Sequence, residues 1–259
     1  MPYLTRNGVK LYYESHGSGP ALLLTHGFSA TSQMWRPQIE ALSSAHTVIT
    51  WDMRGHGRSD APDDPSAYSE ALTTGDMAAL LKHLGFRSAI IGGLSLGGYM
   101  SLAFNLDHAQ MVEALLIIDT GPGFRNDQAR AGWNRYALQM ADDIAERGMG
   151  AFENRSDEQA QAVHNDLNGL VLAGRNMLTQ SSPRVIESLP AIRVPSLVVV
   201  GANDEPFLAA SDYMAAKIPG AQKVNIADAG HAANLDQPEA FNEAVVGFVA
   251  GLLSAENPG

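Results

Sequence analysis

The 259-residue chain contains no cysteine. That single absence excludes disulfides, thiolate metal sites and a cysteine nucleophile together. Positive charge is scarce: 17 Lys and Arg stand against 28 Asp and Glu, a formal net charge of −11. An acidic chain of this kind is repelled by phosphate backbones and anionic lipid, so neither nucleic acid nor a membrane surface is expected as a partner. No apolar run approaches the ~20 residues that a bilayer-spanning helix needs. Polar and charged residues are spread through the first 14 positions, which therefore lack the apolar centre of a signal peptide. A cytoplasmic location is the expectation. No G-x-G-x-x-G follows the first apolar runs, so a dinucleotide is not implied. Asp52 and His56 are four apart, but on a glycine-rich stretch with no third ligand nearby, so no metal site is expected.

What is present reads as ordinary globular sequence, 45% hydrophobic and 17% charged, long enough for one large α/β domain. Short continuous apolar runs at 21–25, 47–51, 89–92, 112–118 and 196–200 predict strands covered on both faces. A last short strand is expected at 223–226, and a weakly alternating, Tyr-rich run at 9–14 reads as an edge strand. Helical spacing occupies 34–42, 73–84 (capped by Thr73 or Thr74), 99–105, 208–217 and 238–253. This alternation implies a mostly parallel sheet flanked by helices. Between Gly121 and Pro190 no buried strand appears, only helical stretches at 128–147, 158–172 and shortly after Pro183. Residues 122–190 are therefore read as a helical lid inserted into a core of residues 1–121 and 191–259. Its apolar positions Trp133, Met140, Phe152 and Met177 are the candidates for contacting a substrate. The alternative is a set of enlarged crossover helices lying flat on the sheet.

The stretch Gly93-Leu94-Ser95-Leu96-Gly97 sits between the apolar run 89–91 and the helical run 99–105. A G-x-S-x-G in a strand–turn–helix context makes a nucleophile elbow. The flanking positions must be small, because larger side chains would collide across so tight a turn. The serine hydroxyl is then held out above the strand, and the N–H groups of the new helix point toward the same place. A hydroxyl needs a base to become a nucleophile. His231 stands out among the eight histidines because it follows a strand in a small-residue turn, Asp228-Ala229-Gly230-His231. His164, His46, His83 and His108 read as solvated or packing residues. Asp204, closing a turn after the strand at 196–200, is the expected acid, and Asp119, at the end of the strand 112–118, is its competitor.

Taken in order, the His26-Gly27-Phe28 turn, the 52–59 loop, the elbow, the Gly201-x-x-Asp204 turn and the Gly230-His231 turn resemble the α/β-hydrolase family over essentially the whole chain. Gly-Leu-Ser-Leu-Gly-Gly at 93–98 is most similar to its carboxylesterases and enol-lactonases. The resemblance implies Ser95 as nucleophile, Asp204 as acid, His231 as base and the backbone N–H groups of Phe28 and Leu96 as an oxyanion hole. It implies a structural role for His26, Arg54, His56 and Arg58. The expected substrate is a small to medium carboxylic ester or lactone, hydrolysed with no cofactor. Carbon–carbon bond hydrolysis, peroxide exchange on the same triad, or a non-catalytic small-molecule receptor remain as alternatives, and a homo-oligomer stays open. Aspartate-nucleophile branches are disfavoured because position 95 is serine.

Overall fold

A computed structural model describes residues 2–152, 159 and 162–256. The strands are β1 (Tyr3–Arg6), β2 (Val9–His16), β3 (Ala21–Thr25), β4 (Thr47–Trp51), β5 (Ala89–Leu94), β6 (Val112–Ile118), β7 (Ser196–Gly201) and β8 (Gln222–Ile226). They form one eight-stranded sheet in the order β1-β2-β4-β3-β5-β6-β7-β8. The β1–β2 and β2–β4 pairs are antiparallel, and every other pair is parallel. Strands β3, β4, β5 and β7 are buried at every position. Their alternating side chains feed two cores. Leu23, Ile49, Ile91, Leu115 and Val198 point to one face, and Leu22, Leu24, Val48, Ile90, Leu116 and Val199 to the other. Parallel strands sandwiched between helices need apolar residues on both faces, so the sequence shows unbroken apolar runs.

The helices are α1 (Arg36–Ser43), α2 (Glu70–His83), α3 (Leu96–Asp107), α4 (Asp127–Arg147), α5 (Leu167–Asn176), α6 (Arg184–Ser188), α7 (Glu205–Lys217), α8 (Ala233–Asp236) and α9 (Pro238–Glu256). Met77 and Leu81 of α2, Met100 and Phe104 of α3 and Met214 of α7 fill the first face. Leu42 of α1 and Phe241, Val245 and Phe248 of α9 fill the second.

Several sequence expectations are corrected. The edge strand is β1, and β2 lies inside it; the two are joined through Asn7 and Gly8, both with positive φ, 53° and 77°. Asn-Gly supplies that turn because these residues tolerate the left-handed region. Helix α2 starts earlier than expected: Ser69 Oγ accepts the Leu72 N–H at 3.1 Å, while Thr73 and Thr74 lie inside the helix. The helix expected over 158–172 is α5, which begins at Leu167 where Asp166 caps it. Glu158 and its neighbours 153–157 lie outside the described residues. Between β6 and β7 the described residues form α4, α5, α6 and two short 3-10 turns, with no strand among them.

Candidate active site

The candidate residues gather at the C-terminal ends of β3, β5, β6, β7 and β8, where a parallel sheet of this kind opens its crevice. Ser95 has φ 54° and ψ −115°, a conformation that costs a non-glycine residue on the order of 1–3 kcal/mol. Backbone bonds hold it there. The Ser95 N–H donates to the Ile118 carbonyl at 2.9 Å, and the Thr120 hydroxyl donates to the Ser95 carbonyl at 2.6 Å. Glycine at 93 and 97 is required by contact: a Cβ on Gly93 would strike the Gly97 carbonyl, and one on Gly97 would strike the Thr25 carbonyl. Ser95 is partly exposed, whereas Leu94 and Leu96 beside it are buried.

His231 follows β8, and Asp204 is the N-cap of α7 at the end of β7. His231 Nδ1 and Asp204 Oδ2 are 2.9 Å apart, with the carboxyl side chain 3% exposed and the imidazole 29%. The imidazole is thus reachable while its carboxylate partner is not. Gly201 lets the two turns meet, since a Cβ there would collide with the Gly230 carbonyl oxygen. The face of the ring is covered as well: Phe207 stacks on it at 4.9 Å between centroids and 25° between planes.

Asp119, the competing candidate, accepts two backbone N–H groups. Its Oδ1 accepts the Gly201 N–H at 2.7 Å and its Oδ2 accepts the Ala233 N–H at 3.2 Å. One buried carboxyl thereby fastens the end of β6 to both the acid turn and the histidine loop. Burial pushes this carboxyl up to about 7, against the downward pull of the two N–H donors and of His231. It lies inside the sheet, because β6 runs between β5 and β7.

Phe28 and Leu96 are both buried, Leu96 as the first residue of α3, where its N–H has no carbonyl one turn back to bond. Gly27 lies against Ser95, so the Phe28 loop adjoins the elbow. Behind it stands a group of imidazoles. His26 donates from Nδ1 to the Gly27 carbonyl at 2.7 Å and accepts the Met53 N–H on Nε2 at 3.0 Å. His56 donates from Nδ1 to the Arg54 carbonyl at 3.0 Å. His164 bridges inward, accepting the Gly57 N–H and donating to the Ser29 carbonyl, each at 3.0 Å. Arg54 makes a bidentate buried pair with Asp76 at 2.5 and 2.9 Å, and Arg58 lies over the Tyr12 ring. These contacts brace the loop.

The imidazoles carry a pH dependence. Burial pushes His26 down to about 4 from the ordinary 6.5 and lowers His56 and His164 as well. Unfolded histidines take up protons below their ordinary value, and the folded rings refuse them. Stability is therefore fully present above 6.5 and is lost as the pH falls toward about 4, by on the order of 3 kcal/mol from His26 alone. Asp119 acts in the opposite sense with a shift at least as large as that of His26, since the folded carboxyl holds its proton up to about 7; the lowered His56 and His164, joined by His46 and His108, set the net direction. The midpoint of urea unfolding is expected to be clearly lower near pH 5 than near pH 7.5. An equal or higher midpoint near pH 5 would mean that the proton held by Asp119 outweighs those refused by the rings.

Of the apolar positions in the inserted helices, Phe152 and Met177 are buried in the same cluster as Phe28 and Leu96, while Trp133 and Met140 pack at its margin. Trp133 also donates to the Leu178 carbonyl at 2.8 Å. Gly174 of α5 lies against the Phe28 ring, and Gln159 Nε2 donates to the Phe28 carbonyl at 3.2 Å. The roles of Phe207 and of the two hydrogen bonds accepted by Asp119 are not foreseen from sequence. The first had a signal, an aromatic three residues into the helix that the acid caps; the second has none short of the folded sheet. Among the described residues no group of three or more His, Cys, Asp or Glu could hold a metal, and no helix is long and apolar enough to cross a membrane.

Comparison with known proteins places these features in a wider set. Residues 22–244 match the model of the alpha/beta hydrolase family. A provisionally assigned carbamate hydrolase, RutD, of Azorhizobium caulinodans is 31% identical over 96% of this chain and 98% of its own length. The solved enol-lactonase of Burkholderia xenovorans LB400 is 28% identical with a TM-score of 0.79, covering 96% of this chain and 100% of that one. A thermophilic esterase of Thermogutta terrifontis is 29% identical with a TM-score of 0.81, covering 97% of each chain.

Proposed function

The chain belongs to the alpha/beta hydrolase family, and from that premise we propose that it is a serine hydrolase of small to medium carboxylic esters or lactones, working through an acyl-enzyme on Ser95. The observation that carries the reading is the 2.9 Å contact between His231 Nδ1 and the buried Asp204 carboxylate, delivered to the strand ends where the strained Ser95 stands. A carboxylate on Nδ1 fixes the tautomer in which Nε2 is the basic nitrogen. Nε2 takes the Ser95 proton as the hydroxyl oxygen attacks the carbonyl carbon. The carbonyl oxygen becomes an anion, and the Phe28 and Leu96 N–H groups hold it. Each such donor contributes about a hundred- to thousandfold in rate in comparable sites. The imidazolium returns its proton to the alkoxide leaving group, and the acyl group remains on Ser95. Water, deprotonated by the same nitrogen, then releases the carboxylic acid and restores the serine. In a lactone the leaving alkoxide stays attached, so the product is one hydroxy or keto acid.

Relatives named enol-lactonase and esterase support this substrate class. We also read residues 122–190 as the lid. Gln159, His164 and Gly174 join this segment to the loop of Phe28, so its position and the oxyanion hole are mechanically linked. An alkyl phosphonate fluoride tests the reading directly, because an activated serine displaces its fluoride and becomes phosphonylated, whereas an ordinary serine does not react. Mass spectrometry is expected to find one adduct, on the peptide containing Ser95. An unlabelled Ser95, or a label carried by another residue, would overturn it.

A further inference from the structure

Phe207 stands one helical turn from the acid. Asp204 caps α7, and the Phe207 N–H donates to the Asp204 carbonyl at 2.9 Å. The same turn lays the phenyl ring on the face of His231, with centroids 4.9 Å apart and planes 25° from parallel. On the side of β6, Phe207 reaches Gly121, where a Cβ would lie 3.9 Å from its ring.

We propose that Phe207 is a positioning residue for His231: it fixes the tilt of the imidazole and stabilises its protonated form. The proposal rests on the serine-hydrolase reading above. A hydrogen bond at Nδ1 sets one direction in the plane of the ring and leaves rotation about that direction open. A stacked face removes the rotation, and with it the uncertainty in where Nε2 points. The phenyl face also carries negative charge density, so it attracts the positive charge that the imidazole acquires on taking the serine proton. Aliphatic side chains of similar size supply the contact without that attraction. The charged groups described near His231 include Asp204 on Nδ1, Asp119 beneath the two turns, and Asp236, which accepts the Gly230 N–H. All three remain in place when position 207 changes.

The test compares Phe207→Leu and Phe207→Tyr with the parent protein. The rate of Ser95 phosphonylation is followed against pH, kcat and KM are measured on an activated ester, and the His231 ring proton is followed by NMR. In Phe207→Leu the limiting rate and kcat are expected to fall roughly three- to tenfold with KM little changed. The acidic limb of the pH profile moves to lower pH, because the imidazolium has lost a stabilising face. The ring-current shift of the His231 proton disappears. Phe207→Tyr retains all three parental values. An acidic limb that stays or moves upward in Phe207→Leu, or a loss in Phe207→Tyr as large as in Phe207→Leu, overturns the role of Phe207 while Ser95 still labels. No labelling of Ser95 in the parent overturns the serine-hydrolase reading, and this role with it.

Discussion

Ser95→Ala is expected to fold as the parent does and to lose at least about a thousandfold in turnover of an activated ester. The substitution is clean because of the backbone. Ser95 occupies φ 54°, and alanine carries the same Cβ, so the strain of the elbow is neither relieved nor increased. The bonds that hold the turn run through the Ser95 N–H and carbonyl, to Ile118 and from Thr120, and survive the change. What disappears is the hydroxyl, the one atom that can form the acyl bond. A residue of activity remains, since the oxyanion donors still polarise a bound carbonyl and water can attack it directly; in comparable enzymes that background is roughly a thousand- to ten-thousandfold above water. Melting temperature and turnover measured on one preparation decide the matter. Parent-like turnover in a folded variant would remove Ser95 from the mechanism.

A second large loss is expected in Asp204→Asn, up to about ten-thousandfold in turnover with the fold retained. An amide nitrogen facing His231 Nδ1 cannot accept its proton, so the ring adopts the opposite tautomer and Nε2 ceases to be a base. The same change at Asp119 predicts a different signature. That carboxyl accepts two backbone N–H groups, and an amide can satisfy only one of them. The buried donor left over costs about 1–3 kcal/mol, partly offset because an uncharged group no longer bears the burial that pushes the carboxyl up to about 7. Asp119→Asn is therefore expected to melt lower and to keep most of its turnover. A larger catalytic loss at 119 than at 204 would transfer the acid's role to Asp119.

The contrast between these two aspartates shows what the sequence could convey. The elbow was legible because collision across a tight turn admits only small residues at 93 and 97, a rule that acts within five positions. The candidate acid and base stand out for a similar reason: each lies in a turn beyond a strand, and adjacent parallel strands present their C-terminal ends together. Asp119 satisfies that same condition. Nothing in its neighbourhood along the chain reveals that its oxygens meet N–H groups 82 and 114 residues away. Phe207 carries only a weak local signal, an aromatic in the first turn after Asp204, because stacking depends on the angle at which α7 leaves β7. The start of α2 was misplaced because Glu70, Ala71 and Leu72 are good helix formers that extend the helix back to Ser69, a better cap than either threonine. The first strand was missed although Asn7-Gly8 marks a hairpin; its four residues are too few to show alternation.

The strand order has a consequence for how the protein is made. Strands β2, β4, β3, β5 and β6 are mutual neighbours in the sheet and all emerge from the ribosome within the first 118 residues. They can pair, and can set the elbow with its anchor on Ile118, while β7 and β8 are still unsynthesised. Chains grow by about 5–20 residues per second, so a nascent molecule carries its serine for on the order of 10 s before its histidine exists. During that interval it has the shaped elbow and lacks the histidine that the proposed mechanism uses as its base. On the proposed mechanism, an arrested or prematurely released chain is expected to be silent toward esters. Proteolytic removal of the β8 edge from the finished protein would return it to that silent state with Ser95 untouched.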